Sequence, residues 1–151
     1  MTIEELFSLA SLLVLPFWAL MTLAPGWGWT RRIVGSPWIA APLAVPYALL
    51  VLPRLGEVLA AFDSAASVAS LLGSGWGATV AWLHFLAFDL FVGRWIYLDG
   101  RARDIHPLAM APVLLLTFLL GPLGFLAYLL LARLWTPVGS RRRTIAAPSP
   151  G

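Results

Sequence analysis

Four apolar runs, each about as long as a bilayer's hydrocarbon is thick, limit this chain more than any motif in it. A helix needs about 20 mainly apolar residues to cross that layer, and the stretches 6–23, 33–52, 76–98 and 108–135 supply them. The composition agrees: 60% of residues are hydrophobic and 11% charged, against about 25% charged in an ordinary soluble domain, and the mean hydropathy is +0.87. The expected fold is an all-α integral membrane bundle of four transmembrane helices with an additional interfacial amphipathic helix. Residues 1–135 read as one transmembrane domain. The tail 136–151, "TPVGSRRRTIAAPSPG", has no apolar periodicity and reads as disordered.

Prolines and glycines punctuate the runs. The first contains Pro16 and stops at "APGWGWTRR", where Trp27 and Trp29 suit the headgroup boundary. The second contains Pro37, Pro42 and Pro46 and ends at Pro53. Each interior proline removes a backbone hydrogen bond, so a kinked helix is expected. Between Arg54 and Gly75, Asp63 and several serines oppose Val58, Phe62 and Leu72, the pattern of a helix lying along the interface, with a fifth span as the alternative. The fourth run is interrupted by "GPLG" at 121–124, which allows a tilted helix or two half-helices. Asp99-Gly100 signals a turn, and Pro107 a helix start.

The opening has two Glu and no basic residue before its apolar run, so it reads as a retained helix and not a cleaved secretory signal. The absence of cysteine excludes disulfides, thiolate ligands and a cysteine nucleophile. Two histidines without cysteine make no case for a metal site. All ten basic residues are Arg and the net charge is only +3. That balance argues against nucleic acid and for membrane lipids, whose phosphates match guanidinium donors. Arg residues flank both ends of the bundle almost equally, so the positive-inside rule leaves the orientation open.

The third run, "AWLHFLAFDLFVGRWIYLDG" at 81–100, places His84, Asp89 and Arg94 in apolar surroundings. An ionised carboxylate at mid-membrane costs about 2.5–3.5 kcal/mol on insertion scales. Asp89 must therefore be protonated, paired, or open to a wet cavity. Arg94 is five residues on, roughly 140° around the helix, so a partner from another helix is expected, with Arg31 or Arg32 in reach of the boundary. His84 is offset by five as well; its bland role is to donate to a carbonyl freed by a proline. Trp82, Phe85 and Gly93 share the Asp89 face, and Gly93 would let a second helix or a flat ligand approach. Asp99, with Arg101, Arg103 and Asp104, is either a solvated loop or the polar rim of a site on the side of Thr30, Arg31 and Ser36.

Three stretches, "VLPFWALMTLAPGWGWTRRIVGS" at 14–36, "AWLHFLAFDLFVGRWIYLDG" at 81–100 and "LLLTFLLGPLGFLAYLL" at 114–130, together resemble the abscisic-acid-deficient-type membrane family, whose plant members are associated with neoxanthin synthesis. The resemblance implies a multi-pass protein, expected in a bacterial cytoplasmic membrane, that isomerises or binds a carotenoid or other hydrophobic isoprenoid without a cofactor. The implied reaction opens a 5,6-epoxide to an allene bearing a tertiary hydroxyl. It needs an acid at the epoxide oxygen and a base for the neighbouring vinylic proton. Asp89 is the candidate acid, His84 its partner and Arg94 an orienting or charge-compensating group. Trp82, Phe85, Gly93, Arg31 and Asp99 are candidate substrate contacts, in a lipid-accessible groove beside the third helix. A non-enzymatic scaffold or lipid-binding protein, using Asp89 to fix helix register, is the alternative, and a small transporter a third.

Overall fold

The computed structural model describes residues 2–135, so the tail 136–151 lies outside the described residues. Seven α-helices run α1 Ile3–Leu23, α2 Gly28–Gly35, α3 Ala41–Val51, α4 Leu55–Ala61, α5 Ala65–Leu72, α6 Gly75–Ala102 and α7 Pro107–Leu134, with no strand among the described residues. Four stretches are long and apolar enough to cross a membrane: Ile3–Leu23, Pro37–Ala61, Gly75–Ala102 and Pro107–Leu134. The all-α bundle of four transmembrane helices is therefore the fold.

Buried positions follow helical spacing. In α1 they are Leu6, Ala10, Val14, Trp18 and Met21. In α7, Met110, Val113, Leu114, Thr117, Gly121, Gly124 and Tyr128 repeat at threes and fours, a stripe that faces the bundle. Most other large apolar side chains, among them Leu12, Leu49, Phe88 and Leu119, are exposed on the outside, as hydrocarbon solvent permits. Helix α6 is the hub: α1, α3 and α7 all pack on it, and α1 also meets α7. Helices α3 and α7 do not pack appreciably on one another, so the face of α6 between them lies open.

Several boundaries differ from the sequence expectation. The second span begins at Pro37 and not near Ile33, because Ile33 belongs to α2, a short helix in what reads as a plain connection. Thr30 in α2 is fully buried, and its hydroxyl donates to the Ala24 carbonyl at 2.7 Å. Pro37 opens a 3-10 turn capped by Ser36, and Pro42 sits in the first turn of α3. A missing N–H costs nothing at such positions, which leaves only Pro46 in a helix interior. Pro53 does not end the span; a 3-10 turn at Leu52–Arg54 carries the chain into α4. The segment 54–75 is thus two helices, α4 finishing the second span and α5 starting afresh at Ser64, whose hydroxyl accepts from the Ser67 N–H.

The turn predicted at Asp99-Gly100 falls later. Gly100 is helical, and a Cβ there would stand 2.6 Å from Met110 Cε. The chain turns instead at Arg103–Asp104, with Asp104 at φ 54°. Pro107 does start α7, behind His106 as its cap.

Candidate functional site

The break in α7 makes the site. Leu120 (φ −139°, ψ 37°) and Gly121 (φ 11°, ψ −81°) leave helical geometry, dividing α7 into two half-helices as "GPLG" suggests. Pro122 has no N–H to give, and Gly124 approaches Thr117 so closely that a Cβ would overlap its backbone. The fold of the helix at this point leaves a space on the open face of α6. That cavity, about 600 Å³, is lined by Trp82, His84, Phe85, Phe88, Asp89 and Val92 from α6 and by Phe118, Leu120, Gly121, Pro122 and Phe125 from α7.

Asp89 enters the cavity half-buried, and its carboxyl group lies against Gly121 Cα, where any Cβ would collide with it. No described residue donates a hydrogen bond to it. His84 lines the same cavity. The His84 ring stacks on Phe88 (4.7 Å between centroids, 29° between planes) and tilts against Tyr47 of α3 at 5.7 Å. It is exposed and makes no hydrogen bond to a proline-freed carbonyl, so that expected role is absent. Phe85 and Phe88 are 54% and 60% exposed, which opens the aromatic wall to lipid. Trp82 closes the opposite wall: its Nε1 donates to Ser11 Oγ at 2.8 Å and its ring stacks on Phe7.

Of the sequence candidates, Trp82, His84, Phe85 and Asp89 meet in one cavity. The others do not join them. Arg94 turns to the opposite side, where Nη2 donates to the Gly35 carbonyl at 2.5 Å, the cation at the end of α2. Gly93 is covered by protein; the Trp18 ring lies on it, its edge inside the space a Cβ would need. Arg31 is exposed on α2, and neither it nor Arg32 pairs with Asp89. Asp99 is ten residues beyond Asp89 on α6, about 15 Å along the axis. There it accepts hydrogen bonds from Tyr128 Oη and, at 2.6 Å, from Arg103 Nε. As acceptor and as charge, Asp99 raises the Arg103 guanidinium above its usual range. This is a tie between α6 and α7, not a cavity rim.

Sequence patterning does not single out Tyr47, Phe118, Gly121, Pro122 or Phe125 as site residues. "GPLG" is the available signal for two of these five positions, Gly121 and Pro122, but nothing in the chain tells which helix faces it. Among the described residues no three His, Asp or Glu side chains gather as a metal site would require.

The description of the ABA DEFICIENT 4-like family matches residues 5–128. This chain belongs to that family. The match is wider than the three stretches that carry the resemblance, and includes the whole α3–α5 region. A curated relative, Protein ABA DEFICIENT 4, chloroplastic, of Arabidopsis thaliana, is 28% identical over 121 residues, covering 68% of this chain and 50% of the relative. The chain thus spans about half the length of the curated relative it matches. No solved structure matches it.

Proposed function

We propose that this ABA DEFICIENT 4-like protein holds a hydrophobic isoprenoid or carotenoid in the cavity between α6 and the α7 break, and that Asp89 gives a proton to an oxygen of that guest. One observation carries the reading: an intramembrane carboxyl group faces an aromatic-walled, lipid-facing cavity without a hydrogen-bond donor from the protein. Such a group is costly in hydrocarbon, and a carboxyl that merely fixed helix register would be paired across an interface. The partner is therefore sought in a guest.

For an epoxide guest the chemistry balances without redox change. Asp89, protonated, donates to the epoxide oxygen as the C–O bond breaks; a base removes the vinylic proton next to the cation, giving the allene and a tertiary hydroxyl. His84 lines the same cavity and is the candidate base. Arg94, bound to Gly35, takes no part. Family membership supports a carotenoid-related guest, since the resemblance associates plant members with neoxanthin synthesis.

The test is expression in cells that accumulate an epoxy-carotenoid such as violaxanthin, followed by pigment analysis. Wild-type protein should produce an allenic isomer. Asp89→Asn should lower its formation by at least about 100-fold, the scale of general acid catalysis, with His84→Ala also impaired and both variants folded. An unchanged pigment profile with well-folded wild-type protein would remove the isomerase.

A further inference from the structure

The cavity at Asp89 is one part of a longer furrow. His84 and Phe85 line it and also a second cavity of about 260 Å³, whose other walls include Tyr47, Phe62, Leu72 and Trp76. The two share a floor, the open face of α6 that α3 and α7 leave uncovered. From Asp89 to Trp76 this floor is thirteen residues, about 20 Å at 1.5 Å per residue.

The furrow has different ends. Beyond Val92, Trp95 packs on Phe125 at 5.8 Å and edge-on to Tyr128 at 5.5 Å, an aromatic stopper standing past the end next to Asp89. The opposite end runs beneath α4 and α5, where Val58, Phe62, Val68 and Leu71 are all apolar. The carboxyl, imidazole and phenol groups, on Asp89, His84 and Tyr47, lie toward the stopper and the middle, and the far end offers only the Trp76 indole N–H. This order favours one direction for an amphiphilic guest. Its oxygen faces Asp89; its hydrocarbon lies under the α4–α5 cover.

Accordingly, and resting on the reading above, we propose that the furrow binds one extended isoprenoid chain in a fixed direction, oxygenated end at Asp89 and chain running along α6 toward Trp76. Helices α4 and α5 then have a function. Beside Trp76, whose ring Arg54 overlies at 5.0 Å, they cover the hydrocarbon tail.

Two photoreactive forms of geranylgeraniol test this with the whole 151-residue chain in phosphatidylcholine nanodiscs, one carrying a diazirine beside the hydroxyl and one at the far chain end. The first should label the 85–92 and 118–125 segments, and lose that labelling in Asp89→Asn. The second should label 58–76. In Ala81→Trp, which fills the second cavity next to the shared residues, far-end labelling of 58–76 should fall about tenfold, the scale of an overpacked site, while head-end labelling persists; Leu72→Trp serves if that variant does not fold. Far-end labelling at Leu12, Phe91 or evenly around the bundle would overturn the direction yet leave the site standing. Equal labelling of 58–76 by a diazirine phospholipid would identify an ordinary lipid contact and overturn it too. Absence of head-end labelling near Asp89 would remove the binding site itself, and the orientation with it.

Discussion

Gly93 and Gly121 each give up a side chain to a neighbour, on different sides of α6. Gly93 makes room for the Trp18 ring, and Gly121 for the Asp89 carboxyl group. Their substitution should therefore read out differently. Gly93→Ala forces an indole in a tight interface to move, and should cost about 1–3 kcal/mol of stability, measurable by denaturation in mixed micelles, without touching guest chemistry. Gly121→Ala pushes on the carboxyl itself. It should abolish the Asp89-dependent pigment change or labelling, whatever its cost in stability. The oddity of Asp89 is plain in the sequence because hydrocarbon tolerates a carboxylate so poorly. Angular offset also separates it from Arg94, and the structure keeps them apart. Which neighbour covers Gly93 is not legible, because a missing Cβ fits a ligand and an indole equally.

At the level of elements, α7 joins local sequence to cavity. Gly121 and Pro122 sit where the helix leaves regular geometry, and the space opened there is the main cavity. If the pair causes the break, the double variant Gly121→Ala/Pro122→Ala should straighten α7. The chain has no cysteine, so spin labels at Leu108→Cys and Leu134→Cys report cleanly. Their separation should lengthen toward the ~39 Å of a straight helix over 26 residues. An unchanged distance would assign the bend to packing by α1 and α6. "GPLG" announces this feature because glycine and proline act within one turn. The second span is harder to read, since Pro37, Pro42 and Pro53 resemble interior breakers until the helix start and the 3-10 turns that accommodate them are known. Helix α2 is concealed for a similar reason: Gly28 and Gly35 bound it, and glycine-rich sequence looks like loop.

Across the molecule, α6 is the common partner, and separate contacts secure its two sides. Tyr128 and Arg103 hold Asp99 near its C-terminal end, while Tyr97 donates to the Pro25 carbonyl at 2.8 Å and Arg94 holds Gly35. Tyr128→Phe removes a hydrogen bond to a charged group and should cost about 1.5–3 kcal/mol. Because Asp99 is about 15 Å from Asp89 along α6, that loss should add to the effect of Asp89→Asn, which a double-mutant cycle would measure. Hydropathy reveals the four spans because length against membrane thickness is a one-dimensional property. The pairing of helices is three-dimensional, and nothing in the linear pattern says that α3 and α7 both pack on α6 yet not appreciably on each other. That gap between α3 and α7 faces sideways into the bilayer. Any molecule exchanging through it travels in two dimensions and never enters water, so its occupancy would be governed by mole fraction in the membrane, and a dissociation constant in molar units would have no physical meaning.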